Sequence, residues 1–375
     1  MAEPLKNRFG PEVARTIATD VAAVVPDFDS DGFVAACLDG YDGLELTERA
    51  RHIADQLARF LIDEGPLDDE GHAIAAVTEV VTGAEADPEG VLAGFWYLPF
   101  VYFVADHGLD HFEASMLLQR ELTMRFTAEF SIRVFLDEQP DATLARLDEW
   151  ARDRDEHVRR LVSEGTRPRL PWAPRLRSFQ QDPAPVLALL EQLKDDPSEY
   201  VRRSVANNLN DISKDHPGVV VEVAARWWAD ADEQRRRLVR HGLRTLVKAG
   251  DPRALAVLGY DPDSPVLVDR VDVSPDPVAI GESVRIEVSL INPSDEPAAV
   301  LVDLRVDFVK ADGALRPKVF KGSERRIEPG ESATVRKSVS LAQHSTRTHH
   351  PGTHGVEVMV NGVSRAPCQF EVVSP

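Results

Sequence analysis

The chain has 375 residues, with 43 Lys+Arg against 63 Asp+Glu and a formal net charge of −20. Its 43% hydrophobic and 28% charged content is that of a globular protein, and the length accommodates two domains. Two cysteines, Cys37 and Cys368, exclude a disulfide framework and a Cys-rich zinc site, and the absence of a long apolar run or a basic-then-apolar leader predicts a cytoplasmic protein without membrane partners.

Residues 1–263 read as helical. Apolar residues recur at helical spacing in PEVARTIATDVAAVV and RARHIADQLARFLIDEG, with acids near the starts and Gly or Pro at the ends. Charge is uneven along the chain. Residues 1–118 hold 23 Asp/Glu and 6 Lys/Arg, so a polyanion is repelled there and meets a more neutral remainder. VLAGFWYLPFVYFVADHGL reads as a buried helix pair broken at Pro99. In LTMRFTAEFSIRVFL, a helix places Arg125 and Arg133 at i−4 and i+4 of Glu129, with Phe126 and Phe130 on the buried side.

A weak repeat follows. Three units each contain an apolar helix, an Asp-rich turn and a second helix opening at Glu156, Glu199 or Glu233. Two helices per unit at this period predict HEAT-like repeats, which stack with their second helices on one side. The arginines at 159/160, 202/203 and 235/236/237 then form a ladder suited to a phosphate backbone. Between the first two units lies EGTRPRLPWAPRLR. Residues 159–177 carry six arginines and one acid, Glu164. Prolines 168, 171 and 174 hold this segment extended and present its arginines and Trp172. Trp172 is either a stacking surface for a base or sugar, or a core anchor between repeats. Glu164 and Asp211 occupy corresponding places in successive repeats, so both are expected in one cleft, with Trp172 over it.

From about residue 264 the pattern alternates with period two, broken by Pro, Gly and Asp clusters. Roughly seven short strands fit an immunoglobulin-like sandwich. The loops 318–326 and 342–355 are rich in Lys, Arg and His, and are suited to touch a polyanion. The histidines 344, 349, 350 and 354 match no zinc spacing, and no metal or cofactor is expected. The predicted architecture is therefore multidomain: a HEAT-like helical solenoid over 1–263, then an all-β immunoglobulin-like sandwich over 264–375.

No phosphate-binding loop, dinucleotide fingerprint or nucleophile elbow is present. RFTAEFSIRVFL, EGTRPRLPWAPRL and YVRRSVANNLNDISKDHP, with the opening LKNRFGPEVARTIA and the immunoglobulin-like end, resemble the AlkC-type DNA alkylation repair glycosylases. These are relatives of AlkD among the HEAT-like repeat glycosylases. The resemblance covers essentially the whole chain. It implies a monofunctional glycosylase, without lyase activity, that removes cationic N3-alkylated bases from DNA, chiefly 3-methyladenine, with 3-methylcytosine as an open alternative. It implies active-site positions at Glu129, Glu164, Trp172 and Asp211. It also implies DNA contacts through neighbouring basic residues, here Arg160, Arg167, Arg169, Arg175, Arg202, Arg203 and Lys214, with Lys318, Lys321 and Arg347 in the sandwich. Nothing in the sequence calls for more than a monomer. The alternative is a non-catalytic HEAT-like adaptor for DNA or an acidic protein, which explains the arginine ladder but leaves the carboxylates unexplained.

Overall fold

The computed structural model describes residues 6, 9–83, 94–343 and 348–374. The first compact unit, residues 1–215, and the second, 216–375, are taken in turn. Unit one is helical: α1 (Pro11–Val24), α2 (Ser30–Leu38), α3 (Leu46–Ala58), α4 (Glu70–Gly83), α5 (Leu98–His107), α6 (Phe112–Arg125), α7 (Ser131–Glu138), α8 (Pro140–Trp150), α9 (Glu156–Gly165), α10 (Arg177–Gln181), α11 (Ala184–Leu193) and α12 (Glu199–Ile212). Pro99 stands in the first turn of α5, where its missing N–H is harmless, and a 3₁₀ turn, Phe95–Tyr97, precedes it. The expected break at Pro99 is thus a helix start.

The paired helices appear as expected, with Glu156 and Glu199 opening α9 and α12. Asp155 caps α9 by accepting from the amides of His157 and Val158. One kind of rung ties the stack. Arg120 of α6 reaches Asp153 in the α8–α9 turn at 2.9 Å, and Arg159 of α9 reaches Asp196 in the α11–α12 turn at 2.6 Å. Arg159, expected on a phosphate-facing ladder, therefore serves repeat stacking. Arg202 donates to the Asp196 carbonyl, and Arg203 pairs with Glu199 one turn away.

Unit two begins with α13 (Pro217–Trp228), α14 (Glu233–Gly242), α15 (Arg244–Ala249) and α16 (Pro252–Val257). Glu233 opens α14, and Asp232 caps it by accepting from the Arg235 amide at 2.8 Å. The compact units part at 215/216, while the change from helix to strand comes after α16.

The strands are β1 (Leu267–Ser274), β2 (Val278–Ala279), β3 (Ser283–Ile291), β4 (Ala298–Val309), β5 (Leu315–Ile327), β6 (Ser332–Ser340), β7 (Gly352–Val360) and β8 (Val363–Val373). They form two sheets, β1-β3-β6 and β2-β8-β7-β4-β5. Alternate residues face inward, so Val284, Ile286, Val288 and Leu290 of β3 meet Val302, Leu304 and Val306 of β4 in a hydrocarbon core. The basic stretch 318–326, expected to be a loop, is the interior of β5, paired with β4 from Leu315↔Val309 to Ile327↔Ala298. β5 is an edge of the five-stranded sheet, where charged residues discourage pairing with another chain. His349 and His354 are buried beside Phe308, so part of the second expected loop faces the interior. Arg347 and His344 lie outside the described residues.

Candidate active site

The site is built at the α9–α12 interface. On α9, Arg160 and Glu164 are one turn apart and share a face. On α12, Ser204, Asn208 and Asp211 are spaced i, i+4 and i+7, so they too share a face. These faces meet. The Ser204 hydroxyl donates to Glu164 Oε2 at 2.6 Å, and Asn208 Nδ2 donates to the Ser163 carbonyl at 2.8 Å and to Thr166 Oγ1 at 3.0 Å. Beside their buried apolar residues, the two helices thus meet through a polar seam.

Arg167 joins the two carboxylates. One guanidinium nitrogen donates to Glu164 Oε1 at 2.6 Å, and Nε donates to Asp211 Oδ2 at 2.8 Å. The expectation that Glu164 and Asp211 come together is met through this shared cation. Glu164 is 6% exposed and Asp211 2%. Arg167 is buried as well. Burial opposes its charge, but Glu164 and Asp211 outweigh that cost and raise its pKa. Arg167 is thus an internal bridge, not the phosphate contact expected of it.

The network extends in both directions. Lys214 donates to Asp211 Oδ1 at 2.8 Å from the half-exposed end. Arg160 lies 3.0 Å from Glu129 Oε2 and 3.5 Å from Glu164 Oε1, with its guanidinium 5.2 Å from the Tyr200 ring. The contact with Glu129 is an ion pair outside hydrogen-bond geometry, since that oxygen has no hydrogen-bond partner. Tyr200 is pushed up from the ordinary phenol range by burial, against the opposing pull of Arg160.

Glu129 is not on a helix. Phe126 leaves α6 at φ −145°, ψ −102°, and the Glu129 amide donates to Thr127 Oγ1 at 3.2 Å in the turn before α7. Local side-chain bonding has displaced the helix there. Arg125 accordingly pairs with Glu121, and Phe126 and Phe130 are only half-buried. Arg133 is buried and donates to the carbonyls of Gly165 (2.9 Å), Arg167 (2.7 Å) and Pro174 (2.5 Å). Burial pulls its pKa down to about 10.

Arg133 thereby clamps both ends of the proline-rich segment. Between those ends, Trp172 projects at 87% exposure with φ 64°, so it is no core anchor. Arg169 pairs with Asp215 at 2.5 Å. Arg175 is exposed, with no acidic partner among the described residues. In the sandwich, Lys321 is exposed and the Lys318 ammonium sits 5.1 Å from the Phe320 ring. Ser163, Ser204, Asn208, Tyr200 and the role of Arg133 were not singled out from sequence. The available signal was polar spacing at 204, 208 and 211 on a helix whose repeat position calls for apolar residues.

Fold and site define a helical-repeat protein with a buried carboxylate–arginine network and a C-terminal immunoglobulin-like sandwich. Residues 267–374 match the family model of the C-terminal Ig-like domain of the uncharacterised protein YhaZ. The chain is 34% identical to the uncharacterised protein YhaZ of Bacillus subtilis strain 168, over 98% of this chain and 99% of that one. Among solved structures it is similar to the Pseudomonas fluorescens alkylpurine DNA glycosylase AlkC bound to DNA containing an abasic site analogue. That match has 34% identity and a TM-score of 0.84, covering 99% of this chain and 100% of that one. The chain belongs to the AlkC-type family that includes YhaZ.

Proposed function

We propose that this protein is a DNA glycosylase that excises cationic N3-alkylated bases, chiefly 3-methyladenine, by hydrolysing the N-glycosidic bond. The observation that carries this reading is the buried coupling of Glu164 and Asp211 through Arg167, beside an exposed Trp172. The whole-chain similarity to AlkC supports it.

The chemistry follows from charge. An N3-alkylated base is already cationic and leaves without protonation. As the bond breaks, positive charge develops on the deoxyribose, and anions fixed beforehand stabilise it without reorganising. Asp211 is assigned to the sugar, with Glu164 and Glu129 serving charge stabilisation and water activation. Glu129 suits the water, since its one ion pair within 4 Å among the described residues is with Arg160. The Trp172 ring face favours a cationic base or sugar. No lysine in the network is placed for a Schiff base, because Lys214 is ion-paired to Asp211, so no lyase step is assigned.

In this reading, residues 1–263 form the catalytic domain and 264–375 assist DNA binding through the basic β5 edge. The protein acts as a cytoplasmic monomer. Among the described residues no helix is long and apolar enough to cross a membrane.

Base release from methylated DNA, wild type beside Glu164→Gln and Asp211→Asn, tests the proposal. Free 3-methyladenine from the wild type, with at least a hundredfold less from the variants, is expected, on the order of an interaction made in the transition state. DNA binding without release from the wild type would favour the adaptor reading.

A further inference from the structure

Glu164 is held at both oxygens. Arg167 pins Oε1, and the Ser204 hydroxyl pins Oε2, each at 2.6 Å. Ser204 in turn lies 2.7 Å from the Ser163 hydroxyl, on the neighbouring helix. A carboxylate only accepts, so the direction of this relay is forced. The Ser204 proton points to Glu164, the Ser204 oxygen accepts, and the Ser163 proton points to Ser204. Ser163 also donates toward the Arg160 carbonyl at 3.0 Å, the longer of its two contacts. Ser163 is fully buried and Ser204 is 3% exposed, so no solvent competes for these bonds.

An arginine alone leaves a carboxylate free to pivot about the pinned oxygen. A second donor from a different helix removes that freedom, and chained hydroxyls strengthen one another. The groups facing Glu164 from all sides are Arg160 on its own helix, Arg167 in the following turn, Ser204 and Tyr200 from α12, and Glu129 from the α6–α7 turn. Of these, only Ser204 fixes the second oxygen.

We infer that Ser204, backed by Ser163, is a positioning residue that sets the orientation of the Glu164 carboxylate for base release. This rests on the glycosylase reading above. Ser204 touches neither DNA-facing Trp172 nor any exposed cation, so its loss is expected in the chemical step and not in binding.

The test uses full-length protein in three variants, Ser204→Ala, Ser204→Thr and Ser163→Ala, with melting curves confirming that each is folded. Under single-turnover conditions on methylated DNA, Ser204→Ala is expected to slow base release about ten- to hundredfold, the scale of a small misplacement of a catalytic group. DNA affinity should stay within about twofold. Ser204→Thr, which keeps the hydroxyl, should restore most of the rate. Ser163→Ala should cost less than Ser204→Ala, in the same step. A carboxylate ¹³C signal assigned to Glu164 by its loss in Glu164→Gln gives a readout independent of turnover. It should move in Ser204→Ala and return in Ser204→Thr. A wild-type rate in Ser204→Ala, a Thr variant no better than Ala, or an unmoved carboxylate signal would overturn the inference. A wild type that binds DNA but releases no base, with the signal moving as expected, would instead sink the glycosylase reading and leave the hydrogen bond intact.

Discussion

The sandwich and the α9–α12 seam bury side chains by opposite means. The sandwich closes on hydrocarbon, with Val284, Ile286, Val288, Val302 and Leu304 all fully buried. The seam buries Ser163, Glu164, Thr166, Arg167, Ser204, Asn208 and Asp211, each less than one-tenth exposed. Hydrocarbon contacts are non-directional, so an apolar core yields a little when one member shrinks. A polar seam does not, because each lost partner leaves another group unsatisfied. A seam of this kind is a costly way to pack two repeats and a good way to hold anions still.

The sharpest test of that contrast is Arg167→Met against Val302→Ala. Met fills a similar volume but leaves Glu164 and Asp211 buried without their shared cation. A loss of about 3–5 kcal/mol is expected in denaturant unfolding. Val302→Ala should cost about 2 kcal/mol, the scale of a small cavity in an apolar core. Adding Glu164→Gln and Asp211→Asn to Arg167→Met should recover part of the loss, because the coupled groups are not additive. If Arg167→Met proves no worse than Val302→Ala, the seam is ordinary packing and its charges are incidental.

The two regions also differed in how far they could be read from sequence. Period-two alternation reports which residues face a sheet core, and the sandwich was legible on that basis. Its errors were the stretches 318–326 and 352–355, where basic residues on strands β5 and β7 looked like loops. The repeat helices were legible from their openings at Glu156, Glu199 and Glu233. The meeting of Glu164 with Asp211 was legible because equivalent positions in stacked repeats share a side. The pairings were not. Arg167–Asp211 spans 44 residues and Arg159–Asp196 spans 37, and no local pattern says which acid an arginine will choose. Glu129 was misplaced onto a helix because the Thr127 side chain, which ends that helix locally, competes with a pattern that looks helical by hydrophobic spacing.

The sandwich buries a histidine among its hydrocarbon. His354 is fully buried between Phe308 and Phe370, with Nε2 3.1 Å from the His350 carbonyl. Burial lowers its pKa below the ordinary 6.5. The unfolded chain therefore takes up this proton first. The contribution of His354 to stability is full above pH 6.5 and is lost as the pH falls through the lowered folded value. Unfolding curves between about pH 7 and pH 5 should show a shallower decline for His354→Phe than for wild type. Equal slopes would mean that the imidazole is protonated inside the fold.

The smallest expected effect on stability lies at Trp172. Its left-handed backbone, φ 64°, suits glycine and costs any other residue about 1–2 kcal/mol. The surroundings impose it. Pro171 and Pro174 flank the tip, and Arg133 holds the carbonyls of Gly165, Arg167 and Pro174 on either side. The ring, 87% exposed, contributes little packing in return. Strain kept at a position with so little to bury points to use by a ligand. Trp172→Ala removes the ring and keeps the strain, whereas Trp172→Gly removes both. Glycine also gains freedom in the unfolded chain, so its advantage over alanine should be modest, about 0.5–1 kcal/mol. Base release should fall to the same low level in both, since both lack the ring. A glycine variant that is more stable and equally inactive would separate the two roles, with the backbone setting the position of the ring and the ring meeting the DNA. If Trp172→Ala releases base at the wild-type rate, the exposed ring has no part in the reaction and the strain needs another cause.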